Sequence, residues 1–487
     1  MTYPMITGSN EPIYMQLYRA IREDCLRGTL VSGEKISSRR SLAKELGISV
    51  NTVDSAYQQL VSEGYIEARP RSGFRVRELS RGSDVPISGQ EAADAGIRRM
   101  TGSFLSGDGD EQPPTPPEAA RAIDFSPNGV DLSMLPMADL KKIVRDVFSF
   151  PPEELFGSCE PEGNFALRNS LCRYLWQSRG LRCTPDRIVV GAGTDYILQF
   201  LVQLLSSAVP IESIAMENPM YNKAFQIFSG LNRKIRLIPL DSQGMDTALL
   251  RACDANIAYV TPSHQFPLGM IMPAGRRADL LSWAAESEGR YIIEDDYDSE
   301  FRYSGRPIPP LCAMHGAEKV IYVGTFSKSV APSLRVSYLV LPNELALTCK
   351  TKMSHFNTTV SVPDQLVLAR FLDSGLFERH ISRMKTLYRR KRDQLLRELA
   401  PFRSSLHVGG SDAGLHLLCT VRKNFSEEEL VRLAADAGVR VYGVSAYYLK
   451  EPGRQMPSEA TVLLGYGGLS FEEITRGVQA LSVAWGL

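Results

Sequence analysis

The 487-residue chain lacks a long apolar run, an excess of charge of either sign and any cluster of cysteine or histidine. No stretch approaches the roughly 18 consecutive apolar residues that a membrane-spanning helix needs. The amino terminus also lacks the basic and then apolar pattern of a secretion signal, so we expect a cytoplasmic protein. Lys plus Arg and Asp plus Glu both number 55, which excludes a global field that would draw the chain to nucleic acid or to a membrane surface. Any DNA contact must therefore come from a local patch.

Cysteine is sparse and scattered. The eight cysteines contain no Cys-x-x-Cys pair, and the six histidines lie far apart in the sequence. This spacing argues against a zinc site, an iron–sulfur cluster and a disulfide framework. The sequence therefore predicts no metal site, and it predicts reduced, mostly buried thiols.

The sequence pattern divides the chain into three parts, as its length also suggests. Residues 1–78 carry short helical and strand patterns. Residues 79–121 are rich in Ser, Gly, Asp, Glu and Pro and cannot bury enough surface to fold alone, so we interpret them as a linker. In residues 122–487, short apolar runs alternate with longer helical patterns. This predicts an α/β domain with a mostly parallel sheet, helices on both faces and a small carboxy-terminal α/β segment.

The first part has the pattern of a winged helix-turn-helix. Apolar residues at helical spacing predict one helix over 12–27, and Ser38 and Ser49 can each cap a further short helix on either side of Gly47. Alternating apolar residues on both sides of a turn at 70–73 predict a two-stranded hairpin, the wing. Such a unit is typical of DNA-binding domains.

Polar and basic residues occupy the predicted exposed positions of this unit. Asn51 and Thr52, with Ser49 at the start of the second short helix, are the candidates for contacts to bases. The candidates for contacts to phosphates or a minor groove are Arg39, Arg40, Lys44 and the wing residues Arg69, Arg71, Arg75 and Arg77. Any one of these arginines also suits a solvated face, whereas the whole set predicts a DNA-binding surface.

Three motifs in this part carry a family resemblance. They are SSRRSLAKELG at 37–47, Asn-Thr-Val at 51–53 and YQQLVSEG at 57–64. Together they resemble the reader domain of the GntR family of bacterial regulators, which implies DNA binding. Ser37 stands where the family usually has proline and Val50 where an arginine is common, so the resemblance carries no base preference.

In the long α/β part, two predicted strands lead to chemically useful residues. Lys328 lies in the run GTFSKS at 324–329, and Asp295 lies near the end of the apolar strand YIIEDDY at 291–297. These residues are typical of a pyridoxal phosphate (PLP) site, in which an amine forms a Schiff base and an acid keeps the ring nitrogen protonated. A surface lysine and a helix cap are the alternatives. Asp296 is the less favoured acid.

The other parts of a PLP site also have candidates. The run at 190–195 follows a strand and opens a helix, where free amides favour an anion. The predicted phosphate contacts are Gly193, Thr194, Thr325, Ser327 and Arg335, while Tyr297 is predicted to contact the ring oxygen and Tyr221 to stack on the ring. Both tyrosines also suit ordinary packing.

The order of these pieces resembles the fold-type I aminotransferases over residues 122–487. With the amino-terminal motifs and the run TPSHQFPLG at 261–269, the chain resembles the MocR subfamily of GntR regulators. The resemblance implies PLP as cofactor and a homodimer in which each reader domain packs onto the partner subunit. It also implies an effector, an amine, an amino acid or a cofactor vitamer, that reacts at the PLP aldimine and shifts binding to operator DNA.

One departure limits an enzymatic interpretation. Aminotransferases commonly hold the substrate carboxylate with an arginine where this chain has Leu463, and without that cation a carboxylate is poorly neutralised. Either Lys223 helps to bind the effector, although it also suits a solvated position, or the effector is not an ordinary amino acid. Two alternatives stay open: an active aminotransferase with a DNA-binding appendage, and a DNA-binding protein that keeps PLP as structural support or senses its level.

Overall fold

The computed structural model describes residue 3 and residues 13–62, 65–69, 73–76, 122–303, 309–449 and 460–487. The chain separates into two compact units, residues 1–114 and residues 115–487. The predicted linker lies outside the described residues, as do Arg71 and Arg77 and the side chain of Arg69. The boundaries predicted for the three parts therefore stay predictions, and the two units are described separately.

The amino-terminal unit contains the predicted helices and hairpin. Its elements are α1 (Ile13–Arg27), β1 (Lys35–Ile36), α2 (Arg39–Leu46), α3 (Val50–Ser62), β2 (Ile66–Arg69) and β3 (Gly73–Val76). Ser38 caps α2 by accepting a hydrogen bond from the Ser41 amide, and Gly47 ends that helix at a φ of 66°. Ser49 caps α3 through the Thr52 amide, at 3.0 Å. The sequence pattern missed β1, which pairs antiparallel with β3, because two residues are too short to show a period.

The second unit combines a large sheet with a smaller one. Its helices are α4 (Met137–Val147), α5 (Pro152–Phe156), α6 (Phe165–Arg179), α7 (Gly193–Ala208), α8 (Asn222–Gly230), α9 (Thr247–Ala252), α10 (Ala274–Ala285), α11 (Asn343–Lys352), α12 (Val362–Asp373), α13 (Leu376–Leu399), α14 (Glu427–Asp436) and α15 (Phe471–Ala484). Its strands are β4 (Ile123–Asp124), β5 (Ile188–Gly191), β6 (Ile214–Asn218), β7 (Ile235–Asp241), β8 (Gly244–Met245), β9 (Ile257–Val260), β10 (Tyr291–Asp296), β11 (Val320–Thr325), β12 (Ser337–Val340), β13 (Leu406–Gly409), β14 (His416–Val421), β15 (Val439–Arg440), β16 (Tyr442–Gly443) and β17 (Thr461–Gly465).

The large sheet has the strand order β5-β12-β11-β10-β9-β6-β7-β8. Strands β11, β10, β9, β6 and β7 form a parallel block. Helices cover both faces, because Ile293 of β10 packs in the cluster of Leu201 from α7, whereas its neighbour Ile292 packs in the cluster of Trp283 from α10. The mostly parallel sheet with helices on both faces is therefore confirmed.

Strand β12 departs from the parallel pattern. It pairs antiparallel with both β11 and β5. Since β12 begins at the edge of the sheet where β11 ends, the loop between them, residues 326–336, leaves and returns at the same edge. That edge also carries the carboxyl ends of the parallel block, where ligands bind in open α/β sheets.

The carboxy-terminal part forms a smaller sheet with the antiparallel order β13-β14-β17-β16. Its core joins Tyr388 of α13, Leu430 of α14 and Leu481 of α15 to the sheet. Strand β4 pairs with β15 and so ties the start of the unit to this part. The small α/β segment predicted from the sequence is thus present.

Among the described residues, no helix is both long and apolar enough to cross a bilayer. The same residues hold no group of three or more His, Cys, Asp or Glu side chains placed to bind a metal ion. All eight cysteines are free, but five of them are only half-buried, so the prediction of mostly buried thiols is wrong. Cys172, in the middle of α6, and Cys183, in the loop after that helix, both pack at the rim of a core and are only partly covered.

Candidate cofactor site and candidate DNA-binding surface

A cavity of about 210 Å³ lies at the carboxyl edge of the large sheet. It is lined by eight of the predicted cofactor residues, Thr194, Tyr221, Asp295, Tyr297, Thr325, Ser327, Lys328 and Arg335, and also by Pro127, Asn128, Asp195, Thr261, Phe266 and Pro332. A larger groove of about 780 Å³ lies elsewhere, between Val144, Phe156 and Val362, and contains none of the predicted site residues. The smaller cavity is therefore the candidate site.

Lys328 reaches into this cavity from the loop after β11. Its ammonium donates hydrogen bonds to the Pro127 carbonyl and to Asn128 Oδ1, both at 3.1 Å. Burial lowers the pKa of Lys328 to about 8, although the nearby Asp298 carboxylate opposes that shift. A lysine with this pKa is neutral in about a tenth of the molecules at pH 7, a far larger share than for an ordinary lysine, and the neutral amine is the nucleophile.

Asp295 and Asp296 lie on opposite faces of β10, because successive side chains of a strand alternate. Asp295 faces the cavity and accepts a short hydrogen bond from the Tyr259 hydroxyl. Asp296 is buried on the other face, where it pairs with Arg179 at 2.6 Å and accepts from the Tyr322 hydroxyl at 2.7 Å. Burial raises the pKa of Asp295 to about 6. Of the two acids, only Asp295 is placed to meet a cationic ring nitrogen in the cavity.

The start of α7 and the loop before β12 form a polar cradle. Gly193 has a φ of +83°, and a Cβ there would lie 2.4 Å from the Arg335 guanidinium. The Thr325 hydroxyl lies 3.1 Å from that of Ser327 and 2.9 Å from that of Ser337. The Thr194 hydroxyl lies 3.3 Å from that of Ser337. Hydroxyls, a guanidinium and a helix amino terminus are the donors that a phosphate needs, so the cradle fits that group.

Arg335 is already neutralised in part. Its guanidinium donates to Asp195 Oδ2 at 2.9 Å. Lys223 contacts the same oxygen at 2.6 Å. Lys223 is therefore engaged beside the cradle and is not among the residues that line the cavity. Its predicted contact with an effector stays a prediction.

The predicted ring contact Tyr297 belongs to a buried polar group. Its hydroxyl lies 2.9 Å from His264 Nδ1, and the same nitrogen lies 2.9 Å from Asp298 Oδ2. Tyr297 and Tyr221 both pack edge-on against Phe266, with ring centroids 6.1 and 6.2 Å apart. Tyr221 is thus held as one wall of the cavity.

The structure adds residues that the sequence pattern did not single out. Asn128 and Pro127 contact Lys328, Tyr259 holds Asp295, and His264 holds Tyr297. His264 lies within the run TPSHQFPLG at 261–269, but the sequence of that run does not indicate a contact with Tyr297. Asn128 lies 200 residues from Lys328, a contact that only the topology creates.

The predicted DNA-contacting residues of the amino-terminal unit differ in their exposure and in their contacts within the unit. Arg40, Lys44, Ser49 and Asn51 are exposed, and Thr52 is half-exposed. Arg39 is exposed as well but pairs with Asp54 and lies over the Phe74 ring. Arg75 donates to the Gly33 carbonyl at 2.6 Å. Part of the charge of Arg39 and Arg75 is therefore committed within the unit, whereas Lys44 and Asn51 face outward near the start of α3.

Two family models match the chain. Residues 137–461 match "Aminotransferase class I and II", and residues 13–76 match "Bacterial regulatory proteins, gntR family". These two ranges correspond to the parts of the chain that contain the cavity and the helix-turn-helix.

Proteins with the same two-part arrangement are similar over nearly the full length. The uncharacterized HTH-type transcriptional regulator YdeL of Bacillus subtilis is 39% identical over 97% of both chains. The probable rhizopine catabolism regulatory protein MocR of Rhizobium meliloti is 30% identical over 97% of this chain and 94% of its own. The pyridoxine biosynthesis transcriptional regulator PdxR of Corynebacterium glutamicum is 30% identical over 91% of each.

Solved structures resemble the second unit. The kynurenine aminotransferase of Pyrococcus horikoshii, solved in complex with PMP, aligns with a TM-score of 0.63 at 22% identity and covers 82% of this chain and 96% of its own. At that identity the likeness shows the fold, which is the fold-type I aminotransferase fold.

Proposed function

The chain is a MocR-type member of the GntR family of bacterial transcriptional regulators, and on this premise we propose that it binds PLP at Lys328. An amine, amino acid or vitamer that competes with Lys328 for the cofactor would then change its affinity for operator DNA. When bound, PLP supplies an aldehyde with which amines condense. One observation carries the proposal. An amine, an acid and an anion-binding cradle line one cavity of a chain that also contains a GntR-type helix-turn-helix domain.

Asp295 and the cradle would hold the two ends of the cofactor. The Asp295 carboxylate would stabilise a protonated ring nitrogen, and the Tyr259 hydroxyl would orient that carboxylate. Arg335, Thr194, Thr325 and Ser327 would hold the phosphate together with the amides at the start of α7. These contacts would remain when an effector displaces Lys328, so the cofactor would stay in the cavity.

Displaced Lys328 already has acceptors in place. The Pro127 carbonyl and Asn128 Oδ1 accept from its ammonium in the present structure. Both acceptors lie just after β4, which pairs with β15 in a two-stranded sheet. The Phe125 carbonyl, next to β4, accepts a hydrogen bond from the Gly465 amide of β17 in the small sheet at 2.8 Å. A change in the position of Lys328 would therefore act on residues 125–128, which contact both Lys328 and the small sheet. An effector biases the protein only if it binds one arrangement of the chain more tightly than another.

We also propose that the protein works as a homodimer in the cytoplasm, with each reader domain packed on the partner subunit. An active aminotransferase with a DNA-binding appendage is the alternative. Leu463, which is fully buried among apolar side chains, weighs against that alternative because it supplies no cation for a substrate carboxylate.

The covalent site can be tested by reduction with borohydride after loading with PLP. Mass spectrometry of the wild-type chain should place the adduct on the Lys328 peptide, and Lys328→Ala should lose it. Lys350→Ala is the matched control, since Lys350 is an exposed lysine that pairs with Asp186 far from the cavity. An adduct of the same yield in Lys328→Ala would contradict the proposal.

A further inference from the structure

The wall of the cavity beside Lys328 is apolar and aromatic. We define the aromatic wall as Tyr221, Phe266 and Tyr297, which line the cavity, with Val444 and Leu463 behind them. Phe266 is 7% exposed and Leu463 is fully buried. Tyr447 packs edge-on against Phe266 at 5.0 Å and closes the cluster. A ligand that enters from this side meets rings and aliphatic carbons.

The charges of the cavity are already assigned. Among the described residues, its charged lining side chains are Lys328, Arg335, Asp195 and Asp295. Lys328 provides the reacting amine, and Arg335 belongs to the phosphate cradle, where it pairs with Asp195. Within this described lining, no cation is left for a carboxylate on the ligand, and a carboxylate would also face Asp295.

The polar atoms near Lys328 are arranged around its own ammonium. The Pro127 carbonyl and Asn128 Oδ1 are acceptors, and each now takes a hydrogen bond from the lysine ammonium. The amides of the same turn are used within it, because Gly129 N–H donates to the Ser126 carbonyl at 3.1 Å and Asn128 N–H donates to Ser126 Oγ at 3.3 Å. The backbone amides of this turn are therefore used within it, and its remaining donor is the neutral side-chain amide of Asn128.

The Thr261 hydroxyl on the opposite wall is committed as well. It donates to buried Glu217 at 2.7 Å, and the Thr261 amide donates to the same carboxylate oxygen at 3.2 Å. A carboxylate placed here would lose its hydration, and within the described lining it would find no unassigned cation, which is costly in a buried site. An apolar group would instead gain contact with the aromatic wall.

We infer that the effector is a primary amine that carries an apolar or aromatic group and no carboxylate. This inference rests on the proposed function, since it assumes that the effector competes with Lys328 for PLP. It narrows the effector class from amine, amino acid or vitamer to one chemical type. The feature that carries it is the aromatic wall in a cavity whose described lining leaves no cation unassigned.

The test compares matched ligands on the full-length, PLP-loaded protein. The pairs are 2-phenylethylamine with L-phenylalanine, and 3-methylbutylamine with L-leucine. L-phenylalaninamide serves as the control that keeps the size and the amine of phenylalanine but removes the negative charge of its carboxylate. The readouts are the change in absorbance of the bound cofactor and the dissociation constant from calorimetry. We expect each amine, and the amide, to act at a concentration at least ~10-fold lower than the matched amino acid.

A Phe266 variant tests the wall itself. Phe266→Asn should reduce the preference for 2-phenylethylamine over L-phenylalanine. Phe148→Asn should leave it unchanged, because Phe148 is 55% exposed just after α4 and does not line the cavity. The comparison of ligands on the wild-type chain stands even if Phe266→Asn does not fold. Amino acids that bind as tightly as the amines would overturn this inference alone. A PLP-loaded protein that shows no lysine-linked cofactor would overturn both the inference and the proposed function.

Discussion

At the scale of single residues, Asp295 and Asp296 give a matched pair of carboxylates on one strand. Asp295→Asn should weaken PLP binding while leaving thermal stability nearly unchanged, because asparagine still accepts the Tyr259 hydrogen bond. Asp296→Asn should instead lower the melting temperature, since it removes the carboxylate charge that pairs with the buried Arg179 guanidinium. The free energy of unfolding should fall by about 3–5 kcal/mol. Cofactor titration and thermal denaturation of both variants separate the two roles.

The outcome that would contradict this assignment is specific. If Asp296→Asn weakened PLP binding more than Asp295→Asn at a temperature where both are folded, the acid that meets the ring would be misassigned.

The pKa of Lys328 predicts how the rate of PLP attachment depends on pH. With a pKa of about 8, the neutral fraction of the amine rises roughly tenfold from pH 6 to 7 and about fivefold from pH 7 to 8, and the rate should level off above pH 8. An ordinary lysine would keep accelerating to about pH 10. Asp298 raises this pKa, so Asp298→Asn should move the inflection to lower pH. Stopped-flow absorbance after mixing with PLP measures the profile, and a rate still rising through pH 10 would contradict the assignment.

At the scale of elements, the start of α7 offers a comparison between two glycines. Gly193→Ala should reduce PLP affinity at least ~10-fold, because its Cβ would meet the Arg335 guanidinium at 2.4 Å and its φ of +83° strains an L-residue by about 1–2 kcal/mol. Gly230→Ala at the end of α8 should have no effect on PLP, since its Cβ would meet nothing within 4 Å. Equilibrium titration with PLP gives both values. Equal affinities in the two variants would show that the phosphate lies elsewhere.

The helices of the amino-terminal unit also allow two matched predictions about DNA binding. Asn51→Ala should weaken binding to the operator by about 1–3 kcal/mol and relax sequence preference, since an asparagine in this position suits a base edge. Lys44→Ala should weaken binding to operator and random DNA alike and reduce the salt slope by about 1. Fluorescence anisotropy with an operator selected from a random DNA pool, at several salt concentrations, distinguishes the two. The reverse pattern would exchange their roles.

The sequence predicted most elements of both units because their patterns are local. The caps at Ser38 and Ser49 and the apolar strands β5, β6, β9, β10 and β11 could be read directly from residue types. Two features escaped prediction for physical reasons. Strand β1 is too short to show a period, and the antiparallel direction of β12 depends on its partners rather than on its own residues.

At the scale of the whole molecule, the candidate site was predictable as residue types but not as contacts. Lys328, Asp295 and Arg335 stand out by their place after strands, and the structure brings them to one cavity. The contact between Lys328 and Asn128 spans 200 residues, and the engagement of Lys223 by Asp195 joins two different helices. Such pairings depend on the folded topology, so a single sequence does not reveal them.

The balanced charge of the chain also has a consequence at this scale. With 55 cations and 55 anions, the protein gains no long-range attraction to DNA, so the local surface around α2 and α3 must supply the contacts. A small change in the exposure of the surface around α2 and α3 would then change the affinity of the protein for operator DNA.

The central claim is that a ligand at the PLP site changes binding to operator DNA. The most direct measurement titrates one amine into the PLP-loaded, full-length protein and follows cofactor absorbance and operator anisotropy on the same sample. The account predicts that both signals change with the same midpoint and that Lys328→Ala loses both responses. An absorbance change with no change in operator binding would contradict it.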